Sequence, residues 1–106
     1  MTNPVATREL SCVSPEGEAF DITIQIGRPT PISDRPESDW RCPVTIPFGG
    51  EEREIYGVDS WQALCLALSL VHAQLAEFLR RGGKLYHPGG TEEFTFNDFP
   101  GVTGHS

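Results

Sequence analysis

Positive charge is scarce in this chain: eight Lys and Arg stand against fifteen Asp and Glu, a formal net charge of −7 at pH 7 over 106 residues. Such a surface repels phosphate backbones and anionic lipid, which sets nucleic-acid and membrane binding aside and favours a basic partner. Cysteine is sparse as well. Cys12, Cys42 and Cys65 are odd in number and widely spaced, so they make no disulfide framework and suit a reduced, cytoplasmic setting. No apolar run is expected to reach the roughly 20 residues of a membrane-spanning helix. The start, Met1-Thr2-Asn3-Pro4, is neither basic nor apolar, and no signal peptide is expected from it. Internal repeats and low-complexity tracts are absent too.

Metal and cofactor signatures are equally thin. His72, His87 and His105 have no Cys or His at ligand spacing. Cys42 and His72 are the one pair of residue types that would make a nucleophile and base, but Cys42 sits between core-facing Trp40 and Val44, where a thiol acts as a small hydrophobe. Gly49-Gly50, Gly82-Gly83 and Gly89-Gly90 do not join a strand to a helix N-terminus with phosphate-loop spacing. The residues therefore offer no catalytic, cofactor or metal site.

What is present is periodicity. Phe20, Ile22, Ile24 and Ile26 alternate with Asp21, Thr23 and Gln25, and Trp40, Cys42, Val44, Ile46 and Phe48 share a second face. A period of two rich in β-branched and aromatic residues predicts strands buried on one side. A weaker strand is expected over 5–13, ended by the turn Ser14-Pro15-Glu16-Gly17, and another over 51–58 after Gly49-Gly50. Pro43 and Pro47 have the same parity, so one edge of 39–48 lacks two donors and must be open, short or bulged. Residues 28–39 form a proline-stiffened loop.

The helix is the clearest element. Asp59 is a good N-cap, Gln62 completes a capping-box pattern, and Gly82-Gly83 end the run after Arg80 and Arg81. Its predicted inner stripe is Trp61, Leu64, Cys65, Leu68, Val71, His72, Leu75 and Leu79. Leu66 and Leu70 then fall outside, with Ala63 and Ala73 extending their stripe. A lone sheet–helix pair does not need them, so a second copy or the aromatic tail is expected to cover them.

Asp39-Trp40-Arg41-Cys42-Pro43, followed by Tyr56-Gly57-Val58-Asp59-Ser60-Trp61 and the helical run Gln62-Ala63-Leu64-Cys65-Leu66-Ala67-Leu68, resembles an uncharacterised family of short bacterial proteins. The resemblance covers the central third of the chain. It implies a bacterial domain and carries no activity, cofactor or catalytic residue with it.

The expected fold is α+β, a four-stranded antiparallel meander with one long helix over 59–81 across one face, in the order β-β-β-β-α. It is one domain, with a core over 3–85 and an aromatic, Gly- and Pro-rich tail over 86–106, in which 92–97 is a candidate fifth strand. The expected function is that of a non-enzymatic, acidic interaction protein, such as an immunity or inhibitor protein that binds a basic partner. Its candidate interface residues are Leu66, Leu70, Ala63 and Ala73 on the helix and Glu51, Glu52 and Glu54 before it. The alternatives are a homodimeric structural module and a small-ligand domain using a pocket near Trp40, Tyr56 and Trp61.

Overall fold

The computed structural model describes residues 3–95. It is an α+β fold, one helix packed on a six-stranded antiparallel sheet. The strands are β1 (Ala6–Val13), β2 (Ala19–Ile26), β3 (Thr30–Pro31), β4 (Trp40–Thr45), β5 (Glu52–Gly57) and β6 (Lys84–Tyr86), and the helix α1 (Ser60–Arg80) lies between β5 and β6. Across the sheet the order is β3-β4-β2-β1-β6, with β5 on the other side of β4. The expected meander is therefore its centre, and two short strands enlarge it.

Both additions have local causes. Between Ile26↔Val44 and Thr30↔Arg41 the β2–β3 side advances four residues while β4 advances three. One extra residue in Gly27-Arg28-Pro29 is thus a bulge, and β3 continues the line of β2 beyond it. β6 joins the sheet because the chain leaving α1 returns along β1, pairing Cys12↔Leu85.

The proline conflict resolves at this bulge. Thr45 ends β4, so Pro47 lies outside the ladder. Pro43 accepts from the Gly27 N–H at 2.8 Å but has no N–H to return to the Gly27 carbonyl. The Cys42 thiol donates to that carbonyl instead, at 3.4 Å. Burial pushes the Cys42 thiol pKa up, which keeps the hydrogen on the sulfur for this bond.

One sheet face is covered by α1. It carries Leu10, Cys12, Ile22, Ile24, Ile26, Cys42 and Val44, all buried. From α1 the buried residues are Ala63, Ala67, Val71 and Leu75, with Leu64, Leu68, Leu70, Phe78 and Leu79 packed at the margins. This corrects the expected stripe. Trp61 is 76% exposed, and Cys65 is exposed too, whereas Ala63 and Leu70, expected outside, sit on the sheet side. The cause is the tight β5–α1 corner: a Cβ on Gly57 would stand 2.5 Å from the Ala63 nitrogen, so the smallest residues on both elements must face each other.

The helix also corrects the expectation about apolar runs. It is 21 residues long, an 18-residue window within it has a mean hydropathy of 1.4, and by length and composition alone it could cross a membrane. Its charged residues, Glu77 and Arg80, lie in the last turn. A Schellman arrangement closes it, with Gly83 N–H donating to Phe78 O and Gly82 N–H to Leu79 O, both at 3.0 Å, and Gly82 at φ 101°.

The core runs past the boundary expected at residue 85. His87 N–H donates to Glu92 O at 2.7 Å, Tyr86 bridges Glu93, and Phe94 N–H donates to Leu85 O at 3.1 Å. Phe94 is then buried beside Leu85, with the Arg8 guanidinium 5.6 Å from its ring centroid. Within the described residues the expected strand over 92–97 is this single bridge; its last two positions lie outside them.

Candidate functional site

Three large apolar side chains stand exposed within six residues at the β5–α1 corner: Tyr56 at 56%, Val58 at 66% and Trp61 at 76%. The backbone beneath them is fixed. Asp59 Oδ1 accepts from Gln62 N–H at 2.8 Å, and Gln62 Oε1 reaches back to accept from Val58 N–H, also at 2.8 Å. The first satisfies a donor that the helix start leaves unpaired, and the second pins the residue before the cap. A hydrophobic staple would tie Val58 to the residue four places into the helix. That residue is Ala63, fully buried under Gly57, so Val58 is left pointing to solvent.

The electrostatics of this corner are acidic. The Tyr56 hydroxyl donates to Glu54 Oε1 at 3.3 Å, and the same oxygen lies 3.9 Å from Arg41 Nη1, whose Nε donates to Thr30 Oγ1 at 3.4 Å. Glu54, Tyr56 and Arg41 share the open face of the sheet, since Arg41 is the register partner of Tyr56 and Pro43 that of Glu54. Asp59 adds a carboxylate beside Trp61. Exposed aromatics held on a capped, pre-ordered segment and bordered by carboxylates can stack on, and attract, a cationic side chain.

The interface residues expected from the sequence are divided by the fold. Leu66 is 44% exposed and Ala73 is exposed, Leu70 is partly buried against the core, and Ala63, with no accessible surface, cannot serve a partner as expected. Glu51, Glu52 and Glu54 are all exposed. They do not act as three bare charges: Glu51 faces Arg53 at 3.5 Å, and Glu54 has Tyr56 and Arg41. Trp40, one wall of the expected small-ligand pocket, is half-buried against the core on the helix side. Tyr56 lies on the opposite face of the sheet, so those residues do not converge on one cavity.

Among the described residues, no group of three or more His, Cys, Asp or Glu is placed to hold a metal ion. His105 lies outside them. Burial and the nearby Asp21 carboxylate raise the Cys12 thiol to about 11. Cys12 and Cys42 are thus protonated core residues at neutral pH, and Cys65 is exposed.

The sequence reading missed Val58 and a second feature, the aromatic cluster at the far end of α1. Phe48 stacks on Phe78 with centroids 4.5 Å apart, and Phe20 meets the two edge-on at 6.4 and 6.0 Å. Beside it, an open groove of about 610 Å³ runs between β2 and the β4–β5 turn. The sequence pattern put Phe48 on the face of the second strand, but β4 ends at Thr45, which leaves the ring to this cluster.

The chain belongs to the DUF6968 family, a domain of unknown function, whose family model matches residues 6–97. No curated protein and no solved structure matches it.

Proposed function

We propose that this domain is a non-enzymatic interaction module that holds a basic partner protein at the β5–α1 corner, with Trp61 as its anchor and Val58 nearby in the chain, Tyr56 being exposed on the other face of the sheet. The observation that carries this reading is the 76% exposure of Trp61 on a helix turn whose backbone is already locked by Asp59 and Gln62. Leaving an indole in water is unfavourable, and interfaces draw much of their energy from such aromatic anchors. Glu54 and Asp59 at the corner, with the chain's net charge of −7, support a cationic partner, as an inhibitor or immunity protein would require.

Affinity capture from cells that express the chain natively, followed by titration with the purified captured protein, tests this. Trp61→Ala is expected to weaken binding by about 2 kcal/mol or more. Added salt should weaken it further, and reversing Glu51, Glu52 and Glu54 to Lys should slow association. A partner whose affinity ignores Trp61→Ala, salt and the charge reversal would overturn the reading.

A second reading, a homodimer through the outer face of α1, is favoured by Leu66, which is 44% exposed in the helix after Trp61. Sedimentation decides it: Leu66→Glu should convert a dimer to a folded monomer, and a wild-type chain that stays monomeric at high concentration removes it.

A further inference from the structure

Among the described residues, β2 is fully paired along one edge and nearly bare along the other. Toward β1 its ladder has eight register pairs, from Ala6↔Ile26 to Val13↔Ala19. Toward β4 it has one, Ile26↔Val44. The phase of the ladder says which groups are left over. Ser14 N–H donates to Glu18 O at 2.8 Å, so the bonded pairs with β1 are those of the even residues of β2, including Cys12↔Phe20 and Leu10↔Ile22. The N–H and C=O of Asp21 and Thr23 therefore point the other way, as does Gly27 N–H, which donates to Pro43 O at 2.8 Å. Among the described residues, β4 has left β2 before it reaches Asp21 and Thr23, and their four backbone groups face the groove.

The cause of this departure is visible. Phe48 stacks on Phe78 near the end of α1, which draws the β4–β5 turn toward the helix and away from β2. The turn satisfies itself, with Ile46 N–H donating to Glu51 O at 2.7 Å and Gly50 N–H to Ile46 O at 3.2 Å. The groove left behind is lined by Asp21, Ile22 and Thr23 on one side, by Pro47, Phe48, Gly49 and Gly50 on the other, and by Phe20 and Phe78 beneath. Asp21 is the only charged residue in that lining.

We infer that this groove is a docking slot for an extended peptide segment of a partner protein, which adds a strand to the open edge of β2. The chemistry of the slot specifies the segment. Its backbone exchanges hydrogen bonds with Asp21 and Thr23, which only an extended chain can do along an edge. The residue opposite Ile22 points to the helix side, into Phe20, Phe48 and Phe78, and is large and apolar. The residue opposite Asp21 points to the open face, next to the Asp21 carboxylate, and is Lys or Arg. The segment thus alternates basic and apolar residues. This slot is at the opposite end of α1 from the Trp61 corner and stands or falls independently of it.

The test uses a capped synthetic peptide of sequence Thr-Lys-Phe-Lys-Thr, which reads the same in either direction, titrated into the full chain and followed by backbone amide NMR. The expected result is saturable binding with shifts confined to residues 20–24 and 46–50, and slowed hydrogen exchange at the Asp21 and Thr23 amides. Thr23→Pro removes a slot-facing N–H without touching the β1 ladder and should weaken binding about tenfold. Backbone N-methylation of the peptide should do the same with no change to the protein, and Glu in place of Lys should weaken it at low salt. Trp61→Ala should leave it unchanged. Absence of saturable binding, indifference to peptide N-methylation, shifts centred on Tyr56 and Trp61, or self-association of the chain through residues 20–24 would each overturn the proposal.

Discussion

At the N-terminus of α1 the helix and sheet meet backbone to backbone, and at its C-terminus they meet through three aromatic rings. The first junction rests on what Gly57 lacks: with no side chain there, Ala63 lies directly on β5, and β4 and β5 stay paired from Trp40↔Gly57 to Thr45↔Glu52. The second rests on what Phe20, Phe48 and Phe78 add. Their volume fills the space between turn, sheet and helix, and β2 and β4 separate around it. A small residue at a contact preserves the ladder beside it, whereas large ones close the core but cost pairing at the edge. Each junction consequently produces its own surface, an exposed aromatic corner over the tight end and an open strand edge at the wide end.

The sharpest way to break the comparison is Gly57→Ala. One methyl group would have to displace helix backbone, and a loss of about 3 kcal/mol is expected in urea unfolding. Phe78→Ala attacks the other end, where the half-buried ring leaves room to relax, and about 2 kcal/mol is expected. Amide exchange should then quicken at residues 46–50 while the β4–β5 pairs near Gly57 keep their protection; uniform quickening would show that the two ends are not independent. Asp59→Ala removes the cap under the exposed corner and is expected to cost about 1 kcal/mol by the same unfolding measurement.

The smallest effect belongs to the far helix end. Hydrogen bonds from Arg80, then Arg81, hold the exposed Glu77 carboxyl down at about 2. A depressed carboxylate pKa means that the contribution is complete above the unfolded value, near 4.5, and is lost as pH falls from there toward 2. Glu77→Gln should therefore flatten a slight acid-side slope in stability, with a small loss that is full at neutral pH and disappears toward pH 2. NMR titration of the Glu77 carboxyl checks the depressed value directly.

The meander and helix were readable because they rest on short-range patterns: alternation at Phe20–Ile26 positions, the cap at Asp59, and the glycine pair after Arg81 are each written within one segment. The helix phase was not. Counting apolar residues placed Trp61 and Cys65 inward, because hydrophobicity favours the larger side chain, whereas clearance over Gly57 favoured Ala63. The short strands escaped for a similar reason. Thr30–Pro31 has no strand pattern of its own and exists because the bulge at Gly27 keeps the chain beside β4. Lys84–Tyr86 exists because the chain leaving α1 meets β1.

The candidate surfaces divide along the same line. Local sequence determined that an aromatic-flanked corner would be capped and rigid, and composition determined that its surroundings would be acidic. Whether Trp61, Leu66 or Leu70 faces solvent depended on the rotation of α1 about its axis, which a contact between β5 and the helix sets. The bare edge of β2 depended on where Phe48 found a partner, and that partner, Phe78, is thirty positions away. Burial and edge pairing are properties of elements brought together, so only the tertiary structure decided them.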